Sequence, residues 1–383
     1  MANEIVIASA EEDKFRAEIR GRAAGGDLDA ARLLRFLNMP DLSRTEGSPI
    51  REIAARISAL PEFGNFAVVR VPEIVPAKEA FDLFNFPPDH PARSRSDTYY
   101  VNDDYVLRPH TTVVWYYYLL REDVKARIAK GEPVGLLSYG KVYRKDELDR
   151  NHMNVFHQMD GLYLCRREEK EIGLEDLREV LAAIARAIYG PDIKYNFKED
   201  SFPYTDPSLE MNIEVGGRWV EVLGSGVVRP VVLDNLGVDS KIWNGWAFGF
   251  GLERLAILSM QLPDIRLLWS ADPRVTRQLR LGNAYKEVSK YPPVTRDISF
   301  VVDASFVPND YFDVIRDAGG DLAEEVSLLD KYENAAKFGE GKVSYAYRIV
   351  YRSPDRTLTG EEVDALHHAL ERTTAEKFGA TVR

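Results

Sequence analysis

Hydrophobic residues recur at helical spacing in several stretches of the chain. The pattern predicts a helix over 48–60, with Ser48 as its N-cap and Pro49 in its first turn. A second amphipathic pattern predicts a helix over 174–189. Residues 1–40 also have helical character, and we expect them to form an N-terminal helical arm.

Patterns typical of strands dominate the middle of the chain. The predicted strands are 68–75, 99–107, 136–143, 161–164, 208–215, 219–223 and 226–232. Few of them alternate regularly with helices, as the strands of a parallel sheet do. The pattern therefore favours an α+β fold with an antiparallel-sheet core over a doubly wound parallel sheet.

The chain changes character near residues 286–291. The pattern beyond this point predicts a strand, a helix, two strands, a helix and a short final strand. This βαββαβ order is that of a ferredoxin-like domain. We therefore expect three parts, which are the arm over 1–40, a large domain over 41–285 and a ferredoxin-like domain over 291–383.

Composition narrows the class of protein. The chain has 383 residues and a net charge of −11, which argues against non-specific nucleic-acid binding but allows a local basic surface. The single cysteine, Cys165, excludes intrachain disulfides and zinc sites with several thiolates. No apolar run is long enough to span a bilayer, and the N-terminus is unlike a secretory signal. We expect a cytosolic protein, with the mitochondrial matrix as the alternative if a presequence was removed.

The first block of candidate chemistry spans residues 140–161. An apolar strand ends at Arg144, and a return strand carries Phe156, Gln158 and Asp160 at alternate positions. Alternation places these three side chains on one face of the sheet, where they could hold a flat base and a cationic amine. A sheet edge with solvated polar residues is the alternative interpretation.

The second block is the glycine-rich segment 245–254, which ends in Arg254. Small residues let a backbone pass close to a ligand before a helix begins. Arg144 and Arg254 could both face one polyphosphate, since guanidinium groups bind phosphates in a bidentate manner. The segment has neither the dinucleotide-binding fingerprint nor the Lys-Ser/Thr of a P-loop.

Two further blocks contain aromatic and polar candidates. Phe202 and Tyr204 flank a proline and could form a slot for an aromatic side chain, although core packing is an equally good interpretation. The other block includes Tyr100 and His110. A lone histidine is usually structural, so His110 would not by itself define a site.

Taken together, these blocks resemble phenylalanyl-tRNA synthetases, which are class II aminoacyl-tRNA ligases. The resemblance rests on the segments DHPAR and DTYY, GKVYRKD and FHQMDG, FPYTDPS, and GWAFGFGLERLAIL. The C-terminal segments YPPVTRDISF and YRIVYRSPDRTLT resemble the ferredoxin-fold anticodon-binding domain of that family. The likeness covers roughly residues 40–383 and matches the short, single-chain mitochondrial type. It implies a monomer without an editing domain.

The resemblance implies roles in binding ATP and in catalysis. Arg144 and Arg254 would stabilise the charge that develops when a carboxylate attacks the α-phosphate. Phe156 would stack on adenine opposite Arg254. The further residues implied near the nucleotide are Asp146 and His152, and the implied magnesium ligands are Glu210 and Glu221.

The resemblance also implies an amino-acid site and specific partners. Gln158 and Asp160 would bind the substrate ammonium. The residues implied to line the remainder of the site are Tyr100, His110, Thr112, Phe202, Tyr204 and Ala247, the last of which would limit its depth. The implied partners are phenylalanine, ATP, Mg²⁺ and tRNA(Phe), without a membrane.

Five positions depart from the family pattern. Asp160 stands where the family has Glu, Thr112 replaces Ser, Val113 replaces Pro or Ala, Trp115 replaces Gln, and Tyr204 replaces Phe. Adenylate chemistry is expected to be intact, because both arginines are present. The alternatives are a paralogue that activates another aromatic acid and a tRNA-binding protein without catalysis.

The C-terminal domain is acidic as a whole. It has 11 Lys and Arg residues against 17 Asp and Glu residues over 291–383. Alternation along 343–352 nevertheless predicts an apolar face and a basic face. The residues predicted to contact tRNA are Lys342, Arg348, Arg352 and Arg356. A solvated surface with ordinary arginines is the alternative.

Overall fold

The structure is a computed structural model that describes residues 4–145 and 149–383. The chain divides into two compact units, the first ending at Tyr285 and the second spanning Lys286–Arg383. Among the described residues, we find no helix whose length and hydrophobicity would let it cross a bilayer.

The first unit is built on a large, mainly antiparallel sheet. Its strands are β1 (Ile5–Val6), β2 (Ala67–Arg70), β3 (Ile74–Pro76), β4 (Tyr105–Leu107), β5 (Val134–Tyr143), β6 (Val155–Arg166), β7 (Tyr195–Phe202), β8 (Thr205–Val215), β9 (Arg218–Val228) and β10 (Trp243–Gly251). Eight of them form one sheet in the order β1-β2-β5-β6-β10-β9-β8-β7, and β3 pairs with β4. Only the β1–β2 and β2–β5 pairings within this described sheet are parallel.

Helices surround this sheet. They are α1 (Ala10–Ala24), α2 (Leu28–Asn38), α3 (Pro49–Ser58), α4 (Ala77–Phe81), α5 (Val114–Leu119), α6 (Glu122–Ala129), α7 (Leu174–Tyr189), α8 (Pro230–Asn235), α9 (Leu252–Met260) and α10 (Pro273–Thr276). Ser48 caps α3 by accepting from the Ile50 nitrogen, as predicted. Helix α7 buries its apolar face, which includes Leu177, Leu181 and Ile184.

Salt bridges and hydrogen bonds fasten the two N-terminal helices to the first unit. Arg16 of α1 lies 2.7 Å from the Glu73 carboxylate. The Lys141 ammonium of β5 donates to the backbone oxygens of Leu37 and Met39, at the end of α2, at 2.9 Å each. Each of the two N-terminal helices is therefore bonded to the rest of the first unit.

Three strand predictions were wrong in detail, one of them because 68–75 is not one strand but two, β2 and β3, in different sheets. The predicted strand 226–232 ends at Val228, because Pro230 begins helix α8. The predicted strand 99–107 is reduced to Tyr105–Leu107, with one isolated bridge from Tyr100 to Val106. In these last two regions β-branched and aromatic residues suggested a strand that other backbone constraints prevent.

The second unit has the predicted βαββαβ order. Its elements are β11 (Val294–Asp303), α11 (Pro308–Gly319), β12 (Ala323–Glu333), α12 (Ala335–Phe338), β13 (Lys342–Tyr351), α13 (Gly360–Phe378) and β14 (Thr381–Val382). The sheet order is β12-β13-β11-β14. Odd positions of β13, from Val343 to Tyr351, are buried. The α+β class, the antiparallel core and the ferredoxin-like unit are therefore confirmed.

Candidate active site

Arg144 follows the last residue of β5 and is held by the backbone around it. Its Nε donates to the Pro109 oxygen at 2.8 Å, and its nitrogen donates to the Asn154 oxygen at 3.1 Å. The guanidinium carbon lies 5.3 Å from the centre of the Phe156 ring, which is a cation–π contact. These contacts orient Arg144 over the strand that carries Phe156.

Arg254 projects from the first turn of α9, directly after the glycine-rich strand β10. A Cβ atom at Gly245 would lie 1.9 Å from the Tyr163 carbonyl oxygen, so only glycine lets β10 approach β6 so closely. Arg254 Nη1 donates to the Glu221 backbone oxygen at 3.2 Å. The arginine thus reaches from the helix to the neighbouring strand β9.

The two arginines line the same cavity, which has a volume of about 370 Å³. They are more than a hundred residues apart in the sequence, so the sheet brings them together. Other predicted site residues in its wall are His152, Phe156, Gln158, Phe202, Tyr204 and Glu221. His152 is exposed, and its Nδ1 lies 2.9 Å from the Asp149 carboxylate. The cavity therefore combines aromatic surface with two guanidinium groups.

Strand β6 places Phe156, Gln158 and Asp160 on one face, as alternation predicts. Gln158 Oε1 accepts from the Thr111 nitrogen at 3.3 Å. Asp160, in contrast, is only 2% exposed and lines neither this cavity nor the adjoining one. Of these three residues, Phe156 and Gln158 therefore face the cavity and Asp160 does not.

The Asp160 carboxylate already has two partners. Trp115 Nε1 donates to Oδ1 at 2.6 Å, and Thr112 Oγ1 donates to Oδ2 at 2.9 Å. Burial outweighs these hydrogen bonds and raises the pKa of Asp160 to about 7. Three of the positions that depart from the family pattern thus form one hydrogen-bonded cluster.

Phe202 and Tyr204 stand side by side between two cavities. Their ring centres are 5.9 Å apart and the planes differ by 11°. A benzene ring inserted between them would need about 7 Å, which is twice the closest carbon–carbon contact distance. A ring bound in either cavity could therefore contact only the edges or outer faces of this pair.

The second cavity, of about 600 Å³, shares Arg144, Phe202 and Tyr204 with the first. His110 lies in its wall and stacks on Phe86 at 5.7 Å. Burial and the nearby Arg144 charge lower the pKa of His110 to about 3, so the ring is neutral. Nε2 lies 2.9 Å from the Ala80 oxygen, while buried Nδ1 has no hydrogen-bond partner among the described residues.

Some predicted site residues lie elsewhere. The Tyr100 hydroxyl donates to the Arg93 oxygen at 2.8 Å, and Tyr100 lines neither cavity. Thr112 and Ala247 are buried behind the cavity walls, at 4% and 2% exposed. Asp146 is outside the described residues. The structure therefore collects the nucleotide-side candidates more completely than the amino-acid-side candidates.

The two carboxylates predicted to hold magnesium lie on one face of the sheet. Asn212 of β8 pairs with Glu221 of β9, and Glu210 precedes Asn212 by two residues. No group of three or more potential metal ligands occurs among the described residues. Two carboxylates nevertheless suit Mg²⁺, which commonly takes one or two of them together with substrate phosphates.

The predicted basic face of the second unit is largely neutralised. Arg348 donates to both oxygens of Asp297, at 2.8 and 2.7 Å. The other three basic side chains also pair with carboxylates: Lys342 with Asp303, Arg352 with Glu324 and Arg356 with Glu362. Basic residues are present where alternation predicts them, but acidic neighbours offset their charge.

Sequence reasoning missed two residues beside the predicted ones. His157 lies between Phe156 and Gln158 but points to the opposite, buried face of β6. Its partner is Glu253, which precedes Arg254 and also lines the first cavity. The acidic residue directly before Arg254 was the available signal in the sequence.

Comparison with known proteins gives two family matches. The family described as tRNA synthetases class II core domain (F) matches residues 37–279. The ferredoxin-fold anticodon binding domain matches residues 289–383. Together they account for both units of the chain.

Similar curated proteins are phenylalanine–tRNA ligases. The chloroplastic/mitochondrial enzyme of Arabidopsis thaliana is 39% identical over 321 residues, covering 81% of this chain and 71% of that protein. The mitochondrial enzyme of Mus musculus is 34% identical over 351 residues, covering 82% and 74%. The alpha subunit from Chlorobium phaeovibrioides is 33% identical over 261 residues, covering 63% and 73%.

These relatives also correct one prediction. The Arabidopsis and mouse proteins are named for organelles, which contradicts the expected cytosolic location. The cysteine content and N-terminal composition, on which that expectation rested, do not distinguish the cytosol from the mitochondrial matrix. Motifs, fold and relatives together show that this chain belongs to the phenylalanine–tRNA ligase family of class II aminoacyl-tRNA synthetases.

Proposed function

We propose that this chain activates phenylalanine with ATP and transfers it to tRNA(Phe), in an organelle and as a monomer. The observation that carries the proposal is the convergence of Arg144, Arg254 and Phe156 on one cavity. An aromatic face and two guanidinium groups match the base and the polyphosphate of a nucleotide.

The nucleotide has a natural orientation in this cavity. Adenine stacks on Phe156 and is covered by Arg254, while the α-phosphate lies near Arg144. His152 lies on the nucleotide side. Glu210 and Glu221 would hold Mg²⁺, which would supply positive charge to the phosphates.

The amino acid approaches from the side of Gln158. Its carboxylate is already ionised at neutral pH, so attack on the α-phosphate requires no catalytic base. The new bond joins a carboxylate oxygen to the α-phosphorus, and pyrophosphate leaves. Arg144 and Arg254 stabilise the negative charge that develops on the phosphate oxygens.

The substrate ammonium requires acceptors in the cavity walls. Gln158 Oε1 is one, and His110 lines the adjoining cavity. Asp160 lies behind the wall and makes no direct contact with the ammonium. The edges of Phe202 and Tyr204 contact the substrate ring. The site is supported from outside the two cavities by Tyr100, Thr112 and Ala247.

Transfer requires a tRNA that reaches both units. The second unit binds the anticodon region, with Lys342, Arg348, Arg352 and Arg356 as phosphate contacts once their carboxylate partners are displaced. The activated acyl group then passes to the terminal ribose of the tRNA, where a 2′-hydroxyl replaces AMP. A single chain carries both the core and the anticodon-binding unit, which supports a monomeric enzyme.

A paralogue that activates another aromatic acid is the second candidate. The Trp115–Asp160–Thr112 cluster favours it, because three departures from the family pattern adjoin the amino-acid side. A polar Tyr204 beside the same cavity adds to this argument.

Amino-acid-dependent exchange of pyrophosphate into ATP separates these candidates. We expect exchange with phenylalanine and weaker exchange with tyrosine, followed by charging of tRNA(Phe). Equal or better exchange with tyrosine or another aromatic acid would support the paralogue. Binding of tRNA without exchange for any amino acid would favour a protein that has lost catalysis.

A further inference from the structure

A buried cluster of ionisable groups lies at the wall of the first cavity, which one of its members, Glu253, lines. His157 is completely buried, and its Nδ1 lies 2.6 Å from Glu253 Oε1. The backbone nitrogen of His157 donates to the same carboxylate, at 2.9 and 2.8 Å to its two oxygens. Glu253 is only 2% exposed. One residue of β6 thus supplies all the hydrogen bonds recorded for this carboxylate in the described structure.

The other side of the histidine ring contacts a third segment. Nε2 lies 2.9 Å from the Leu42 nitrogen and 3.3 Å from Asp41 Oδ1. In the neutral ring Nε2 accepts from Leu42, whereas the protonated ring donates to Asp41. The hydrogen bond to Glu253 is present in both forms. Trp269 covers the ring at 5.5 Å between centres.

The two main members of this cluster, His157 and Glu253, are sequence neighbours of residues that line the cavity. His157 lies between Phe156 and Gln158, and Glu253 immediately precedes Arg254. The pair therefore joins the strand that carries the aromatic surface to the helix that carries the exposed guanidinium. Burying an acid is unfavourable unless it is paired and hydrogen-bonded, so the Glu253 side chain is restricted to this geometry.

We propose that His157 and Glu253 form a positioning pair that fixes the first turn of α9 against β6, so that Arg254 faces the nucleotide in the cavity. Neither side chain takes part in the chemistry. Their effect passes through Arg254. The only hydrogen-bond or ion-pair partner of Arg254 among the described residues is Glu221: Arg254 donates to the Glu221 backbone oxygen and lies 3.9 Å from the exposed Glu221 carboxylate. The inference rests on the proposed function, because it assigns Arg254 to the nucleotide.

Steady-state exchange kinetics test this pair with four variants. H157L removes the ring donor, E253Q removes the carboxylate charge, and H157N keeps a side-chain donor near the position of Nδ1. H368L is the matched control, because His368 is an exposed histidine of the second unit that pairs with Glu371. Thermal unfolding and circular dichroism identify the variants that fold.

We expect H157L and E253Q to raise the KM for ATP by about tenfold to a hundredfold, the range for losing a hydrogen bond to a charged group. The KM for phenylalanine should stay within about twofold, since Gln158 keeps its contact with Thr111. H157N should recover most of the ATP affinity, and H368L should match the wild type.

Three results would contradict the proposal. An unchanged KM for ATP in both variants, an equal rise in both KM values, or an H157N as impaired as H157L would overturn the positioning role. If H157L does not fold, E253Q decides between the same outcomes. Wild-type protein that supports no exchange at all would instead refute the proposed function, so the two failures are distinguishable.

Discussion

The indole nitrogen of Trp115 donates to Asp160 Oδ1 at 2.6 Å, inside the amino-acid side of the site. Both residues depart from the family pattern. Trp115 is larger than the Gln it replaces and Asp160 is shorter than the Glu it replaces, so the two changes compensate each other in size. No cation is among the groups that set the pKa of Asp160, and the carboxylate is buried, so its pKa rises to about 7.

This raised pKa predicts an unusual dependence of stability on pH. The folded carboxylate holds its proton up to about pH 7, whereas the unfolded one loses it near pH 4. Its contribution to the free energy of unfolding therefore falls as pH rises from about 4 to 7. D160N removes this penalty. The free energy of unfolding of D160N should therefore exceed that of the wild type by an amount that grows across that window, up to about 4 kcal/mol.

Urea unfolding at pH 4, 6 and 8 checks this prediction. W115F should behave in the opposite way and destabilise the protein most at pH 8, because it leaves the ionised carboxylate without its indole donor. A D160N curve that runs parallel to the wild type at every pH would show that the carboxylate is not protonated in the folded state.

A second prediction concerns the N-terminal helices. Glu73 is partly buried near Arg16, Arg108 and Lys141. Burial raises its pKa, but the positive charges outweigh that effect and lower it. E73Q leaves these cations without their counter-charge, and we expect a loss of about 3–5 kcal/mol in the free energy of unfolding. Exposed Glu62 provides the control E62Q, which should change stability by less than about 0.5 kcal/mol.

The sign of the Glu73 effect with pH follows from its lowered pKa. Stability from this group is complete above the ordinary glutamate pKa of 4.5 and is lost as pH falls through the folded pKa. The difference between E73Q and the wild type should therefore narrow in acid. A constant difference down to the acid transition would contradict the assignment.

A third prediction concerns the second unit. Arg348 is held by Asp297, so it can bind a tRNA phosphate only by exchanging partners. D297N should strengthen tRNA binding by a few-fold, and R348E should weaken it, while exchange of pyrophosphate stays unchanged in both. Filter binding at two salt concentrations measures the effect; weaker binding by D297N would show that the ion pair itself organises the tRNA surface.

Local patterns in the sequence predicted much of the fold. Helix α7 has the predicted bounds, 174–189, because a regular apolar stripe and clear terminal residues coincide. The predicted strand at 226–232 failed because Val231 and Val232 have β character, while the preceding Pro230 is well suited to a helix N-terminus. Local preference was overridden there by the chain's turn into α8.

Pairing between residues far apart in the sequence limited how much of the site could be predicted. Alternation correctly placed Phe156 and Gln158 on one face, but it could not indicate that His157, on the other face, pairs with Glu253 across 96 residues. Likewise, the position of Arg348 was predictable, whereas its Asp297 partner lies 51 residues earlier on a neighbouring strand. Sequence patterns give the face of a residue, and only the fold gives its partner.

The most direct test of the account is phenylalanine-dependent pyrophosphate exchange in R254A. R32A is the matched control, since Arg32 is an exposed arginine of α2 that pairs with Asp29. We predict that R254A folds with an unchanged melting temperature and loses at least about a hundredfold in kcat/KM, while R32A retains wild-type activity. Exchange by R254A within about twofold of the wild type would contradict the claim that two arginines converge on one nucleotide.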